Sequence, residues 1–196
     1  SGDVTFTGSL PAGASPSVTV AATKTLTLTA ALANGKTING DGGIVVITAG
    51  HSTTGAVLAG ITTTTASMKF GGDVELSGSL PAATTNNLDT DSDGTARTVT
   101  LTGTMTQGKT YTLDGDITLV STAAKLTNKT IGGSGDVDIT DGGDTLGATL
   151  GGITSTTSSY TGTDDTTITG TLPAGGTCTI KNSLILGNSI LNSSAT

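Results

Sequence analysis

The chain has 196 residues, a formal net charge of -7 and a pI near 4.3; about a quarter of it is threonine, 30 residues are glycine, aromatics make up 2% and tryptophan is absent. So little bulky side chain cannot fill a wide globular core, but short aliphatic residues stacked in rows can fill a narrow one. The eight basic residues are scattered, no apolar run reaches the length of a membrane span, and the start SGDVTF lacks a signal-peptide pattern, which argues against nucleic-acid binding and a helical membrane anchor.

Taken in chain order, short alternating segments recur. Val4, Phe6, Gly8 and Leu10 alternate with Thr5, Thr7 and Ser9, and Leu26 and Leu28 alternate with Thr25, Thr27 and Thr29. Val99 with Leu101, and Ile117 with Leu119, continue the pattern. Such strands bury one face and show threonine, a residue suited to a pleated surface, on the other. Glycine-rich breaks at Asn39 to Gly43, Gly71 and Gly72, Gly132 to Asp136, and Asp141 to Asp144 predict tight corners. Pro11, Pro81 and Pro173 close equivalent strands, where a missing N–H does no harm. Helical periodicity is not evident in any segment.

The segments are copies of one another. GDVTFTGSLPAG (Gly2 to Gly13) returns as GDVELSGSLPAA (Gly72 to Ala83) and as DDTTITGTLPAGG (Asp164 to Gly176). KTLTLTAALANGKTI (Lys24 to Ile38) returns as RTVTLTGTMTQGKTY (Arg97 to Tyr111), and GAVLAGITTTTASM (Gly55 to Met68) as GATLGGITSTTSSY (Gly147 to Tyr160). The first two GDV copies lie about 70 residues apart and the next two about 92, so the second block is longer by roughly one coil of 22 or 23 residues. A chain that repeats in this way is built by stacking units that cannot fold singly. The expected fold is an all-β parallel solenoid (β-helix) of eight or nine coils of about 23 residues, one elongated domain over 1–196 with blocks 2–71, 72–163 and 164–196. An intertwined trimeric β-fibre is the alternative, since it wants the same strands.

Several motifs resemble chemistry. GTMTQGKT (Gly103 to Thr110) satisfies the phosphate-loop pattern, but strand alternation follows it where a helix is required, and the equivalent AALANGKT lacks the first glycine. DTDSDG (Asp89 to Gly94) places Asp89, Asp91 and Asp93 at alternate positions before a glycine, a candidate Ca²⁺ site, although Thr100 stands where a bidentate glutamate would complete the loop. GGSGDVD (Gly132 to Asp138) has Val137 where a calcium nonapeptide needs aspartate, and is read as a corner. His51 is the single histidine and Glu75 the single glutamate, so neither a catalytic triad nor a glycosidase pair is recognisable, and no catalysis is expected. Asp3, Asp73 and Asp165 fall at matching repeat positions, which points to a turn role. The lone Cys178 is expected to be a buried structural thiol.

The segment KLTNKTIGGSG (Lys125 to Gly135) resembles a short stretch common in phage tail-fibre proteins, over Leu126 to Ile131. The wider threonine- and glycine-rich solenoid style is similar to bacterial surface adhesins and fibre proteins. TLTLT and TVTLT also resemble the T-x-T arrays of ice-binding proteins. The fibre and adhesin resemblances imply an extracellular, cell-surface or virion location and a structural or attachment role. Neither end of the chain shows a capping pattern, so either the segment belongs to a longer protein or copies self-associate, the favoured expectation, end to end into a filament or as a homotrimer. A glycan or cell-surface target is the other candidate partner.

Overall fold

A computed structural model describes residues 2–9, 17–50, 55–91, 93–140, 148–161, 166–168, 170–181 and 184–186. In chain order its elements are β1 (Val4–Thr5), β2 (Ser17–Thr19), β3 (Thr25–Thr29), the helical turn α1 (Ala30–Ala33), β4 (Thr37–Asn39), β5 (Ile44–Gly50), β6 (Thr65–Phe70), β7 (Val74–Leu76) and β8 (Thr85–Thr90). There follow β9 (Arg97–Leu101), β10 (Thr110–Leu113), β11 (Ile117–Thr122), the helical turn α2 (Ala123–Leu126), β12 (Thr130–Gly133) and β13 (Asp136–Thr140). The last four are β14 (Thr157–Thr161), β15 (Thr166–Ile168), β16 (Thr177–Lys181) and β17 (Leu184–Leu186).

All paired strands are parallel and pair with the neighbouring coil of the same chain, which makes a β-solenoid closed by a single polypeptide. A seven-stranded sheet runs β1-β3-β5-β6-β8-β10-β12, a six-stranded sheet runs β7-β9-β11-β13-β14-β16, and β2-β4 and β15-β17 form two short ladders. The alternation read from the sequence is obeyed: in β11, Ile117, Leu119 and Ser121 are buried while Thr118, Val120 and Thr122 are half-exposed. Across the seven-stranded sheet the inward positions Leu26, Val45, Ala66, Asn86, Tyr111 and Ile131 stack in one row, so each coil completes the core of the next. One continuous buried cluster runs from Val20 to Leu172.

Among the described residues the seven-stranded sheet counts about seven turns, against the eight or nine expected over the whole chain; beyond β12 its ladder continues as the isolated Ile131–Ile153 bridge. The coil is also not uniform. Steps between paired residues range from 18 (Leu119 to Val137) to 25 (Val74 to Val99), so the 23-residue increment inferred from block lengths is one value within a spread.

Two features of the corners follow from sequence. The residue before the lysine of each G/N-K-T stretch sits in the left-handed region, with φ of 66° at Gly35, 72° at Gly108 and 57° at Asn128. Glycine and asparagine are the residues that adopt it at least cost. Gly108 thus serves a coil corner that leads into β10, which explains the phosphate-loop match, and Asn128 explains LTNKT in the same way. The helical turns replace a strand where AALA and AAKL occur; Thr29 caps α1 by accepting from the Leu32 N–H at 3.3 Å.

Each GDV copy opens a sheet. β1 is the edge of the seven-stranded sheet, β7 the edge of the six-stranded one, and β15 pairs β17 in a sheet of two. The LPA that follows prolongs an older ladder, since the Ala82 N–H donates to Ile61 O and the Ala174 N–H to Ile153 O, both at 2.9 Å. As a result, strands equivalent by sequence occupy different sheets: β3, β5, β6 and β8 in one, β11, β13, β14 and β16 in the other. The aspartate of GDV secures the new sheet. The Thr25 N–H donates to Asp3 Oδ1 at 2.9 Å and the Thr98 N–H to Asp73 Oδ1 at 2.7 Å, while Asp165 lies outside the described residues. Asp73→Ala is expected to destabilise by about 1 kcal/mol, the worth of one such hydrogen bond at an exposed edge, and thermal melts of the variant against Asp73→Asn check it.

Candidate functional site

The outward faces of the two large sheets carry the polar chemistry. On the six-stranded sheet, Thr98, Thr118, Asp136, Thr157 and Thr177 form one column, and Thr100, Val120, Asp138, Ser159 and Thr179 the next. The Thr157 hydroxyl donates to Asp136 Oδ1 and the Ser159 hydroxyl to Asp138 Oδ1. Thr118, Asp136, Asp138, Thr157, Ser159 and Thr179 line a shallow groove across this face. The array is not an unbroken threonine lattice, because the two aspartates and Val120 interrupt it. Sequence reading placed no site here; the signal was Asp136 and Asp138 at alternate positions, and only the register brought Thr157 and Ser159 against them.

The DTDSDG residues separate in space. Asp89 is half-buried on the outer face of β8, and the register sets it beside Lys69 of β6. Burial, chiefly, and the neighbouring Asp114 carboxylate push its pKa above the ordinary aspartate value, while Lys69 and Ser67 oppose them. Asp91 is exposed just past the strand end. Asp93 turns the other way: it accepts from the Thr95 N–H at 2.9 Å and pairs with the Arg97 guanidinium. The backbone hydrogen bond to Thr95, then Arg97, hold its pKa below the ordinary value. Gly94 takes the expected sharp turn at φ 67°. Among the described residues no three acidic, histidine or cysteine side chains gather as a metal-binding group. Asp114, which approaches Asp89 from the next coil, was invisible to the sequence because it lies on a different repeat unit.

The two shifts have opposite consequences for stability. Asp89, raised on folding, contributes stability that is present below pH 3.8 and lost as pH rises through its folded value; Asp93, lowered, contributes stability present above pH 3.8 and lost as pH falls. Asp89→Asn is therefore expected to raise the Tm at pH 7, by about 2 °C, with the gain vanishing toward pH 3. Melting curves across that range check the sign.

Other singled-out residues fall as follows. GTMTQGKT runs from the end of β9 through a corner into β10, and no helix follows it. Its loop is tied to the core by Tyr111, fully buried, whose hydroxyl oxygen accepts from the Thr106 N–H at 2.8 Å. Within GGSGDVD the corner is Ser134 and Gly135; Gly132 and Gly133 end β12, and Asp136, Val137 and Asp138 begin β13. Cys178 is half-buried on β16, opposite Ser158 of β14, and His51 lies outside the described residues. Among the described residues no helix is long and apolar enough to cross a membrane. No family model, curated protein or solved structure matches this chain.

Proposed function

We propose that this chain is a non-enzymatic structural or adhesive segment of an extracellular fibre, which lengthens by the addition of coils at its solenoid ends. The observation that carries the reading is the succession of sheets, in which the strand of each repeat copy begins a new ladder while the LPA of the second and third copies prolongs an older one. Such an architecture has no built-in length, and each added coil extends the same core row and hydrogen-bond ladder. The resemblance to surface adhesins and tail-fibre segments points to the same role and location. Negative-stain imaging and sedimentation at high protein concentration test it: filaments or concentration-dependent oligomers are expected, and a monodisperse monomer would overturn it.

A second reading is favoured by the groove over Asp136, Asp138, Thr157 and Ser159, whose carboxylates and hydroxyls suit a polyhydroxylated ligand such as a glycan. Glycan-array binding that is lost in Asp138→Ala would support it. Calcium at the DTDSDG turn requires Asp93 to leave Arg97 and swing toward Asp91; isothermal titration without heat at millimolar Ca²⁺ would remove that reading.

A further inference from the structure

The eight basic residues are scattered along the chain, but the register of the coils gathers three of them at one edge. Thr110 of β10 and Thr130 of β12 are ladder partners, so Lys109 and Lys129, the residues before them, stand at one corner of adjacent coils. Both follow a left-handed residue, Gly108 at φ 72° and Asn128 at φ 57°, and both are half-buried, so the two side chains leave matching turns on the same side of the solenoid. Lys125 of α2 belongs to this edge as well, since its Nζ donates to Gly103 O, on the preceding coil, at 3.4 Å. The repeat supplies a comparison in Lys36, which follows Gly35 at the equivalent corner. The coil beside it presents Gly60, on which an added Cβ would stand 2.3 Å from Lys36 O, in a segment, 55–64, without lysine.

Two ammonium groups set side by side on neighbouring coils repel, and the repulsion is relieved by an acidic neighbour or by a bound anion. Acidic neighbours are missing. The described segments that stack along this edge, 77–88, 102–113, 122–135 and 148–161, contain no Asp or Glu, although the chain carries 15 acidic residues. Among the described residues the one salt bridge joins Asp93 to Arg97, in the corner between β8 and β9. The backbone here also keeps a donor in reserve. The Gly35 N–H donates to Val57 O and the Asn128 N–H to Thr149 O, both at 2.8 Å, whereas among the described residues the Gly108 N–H has no carbonyl partner. A left-handed turn with an unengaged N–H is the kind of backbone concavity that accepts an anion. Gln107, Asn128 and Thr130, all exposed, flank the two lysines with further donors.

We propose that the corners at Lys109 and Lys129 together form a site for an oxyanion of the phosphate or sulfate class, held by the two ammonium groups and the Gly108 N–H. Lysine suits such a ligand, as a point charge with three donors on a flexible stem, and Lys125 adds a third positive charge on the same edge. The site is not a nucleotide cradle, because the Lys109 corner leads into β10 and not into a helix whose N-terminus could meet successive phosphates. A net charge of -7 repels anions from most of the surface, which confines an anionic ligand to this edge. The inference stands apart from the fibre reading, since it needs only the register of two neighbouring coils.

Isothermal titration of the full chain with pyrophosphate at low ionic strength tests the site. Saturable binding is expected, weakened about tenfold or more in Lys109→Gln and in Lys129→Gln, the loss of a charged hydrogen-bond donor, and unchanged in Lys36→Gln. Without ligand both variants should melt at or above the parent temperature, because each removes a repulsion, so that lost binding is not lost folding. No saturable heat at millimolar pyrophosphate, equal affinity in the parent and Lys109→Gln, or an equal loss in Lys36→Gln would overturn the site. Sulfated dextran separates two sources of the same chemistry. Displacement of pyrophosphate by the polymer assigns the site to a group carried on a glycan, and pyrophosphate that the polymer cannot displace assigns it to a free ion.

Discussion

Alanine at Gly78 is expected to lower the stability of the solenoid by about 3 kcal/mol or more, with a Tm drop on the order of 10 °C, while alanine at Gly8 leaves the melt unchanged. The two residues are equivalent in the repeat, and both are followed by a serine and a leucine. Their difference is entirely one of neighbours. A Cβ at Gly78 would stand 2.0 Å from Ala56 O, 2.5 Å from the carbonyl carbon and 2.7 Å from the carbonyl carbon of Gly55. All three contacts are backbone, which cannot rotate away as a flexible side chain can, so the coils must separate and the ladder around the Val57–Ser79 and Ser79–Thr104 bridges must stretch. Gly103, whose Cβ would lie 1.8 Å from Gly78 O, transmits the same tightness to the next coil. Equal destabilisation at Gly8 and Gly78 would show that glycine is required by local backbone conformation and not by coil stacking; paired thermal and urea melts decide it.

Tyr111→Ala should cost about 3 to 5 kcal/mol, the range for truncating a large buried aromatic. Tyr111 is fully buried and is among the largest side chains of a core that has few large ones. It stacks in the row between Asn86 and Ile131, so its removal opens a void shared by three coils. The hydroxyl is a separate component: burial raises its pKa above the ordinary tyrosine value, and the oxygen accepts from the Thr106 N–H. Tyr111→Phe isolates that component and should cost about 1 kcal/mol, with faster amide exchange confined to the loop around Thr106. A Tyr111→Phe loss as large as that of alanine would mean that loop anchoring, not core volume, dominates. Ile38 and Ile131 stand at the equivalent repeat positions, so Tyr111→Ile should fall between the two.

The sequence was most informative about periodicity. Leu26 with Leu28, and Ile117 with Leu119, pointed inward as their alternation required, and the glycine-rich breaks at Asn39 to Gly43 and Gly132 to Asp136 became corners. Repeat comparison also removed the phosphate-loop reading, for which the left-handed Gly108 supplies the physical cause. It was least informative about stacking partners. Asp89, Asp91 and Asp93 looked like one ligand set because alternate residues of a strand share a face, yet β8 ends at Thr90 and the turn at Gly94 redirects the third, so Asp89 meets Asp114 and Lys69 while Asp93 meets Arg97. The groove over Asp136 and Asp138 was missed for the converse reason, since its hydroxyl partners lie about 21 residues away along the chain.

By itself, the sequence determined that this protein is a stack of short alternating strands with a narrow aliphatic core and threonine-rich faces, because period-two alternation and repetition are local properties of the chain; that the strands pair in parallel within one chain, and not in an intertwined trimer, was decided by the tertiary structure. Only the tertiary structure decided how the coils are phased. Steps of 18 to 25 residues absorb insertions in the corners, and each GDV copy starts its strand on a new face, so equivalent strands come to lie in different sheets. Phase is set by which backbone groups of adjacent coils reach hydrogen-bonding distance, and that depends on the accumulated length of every corner between them.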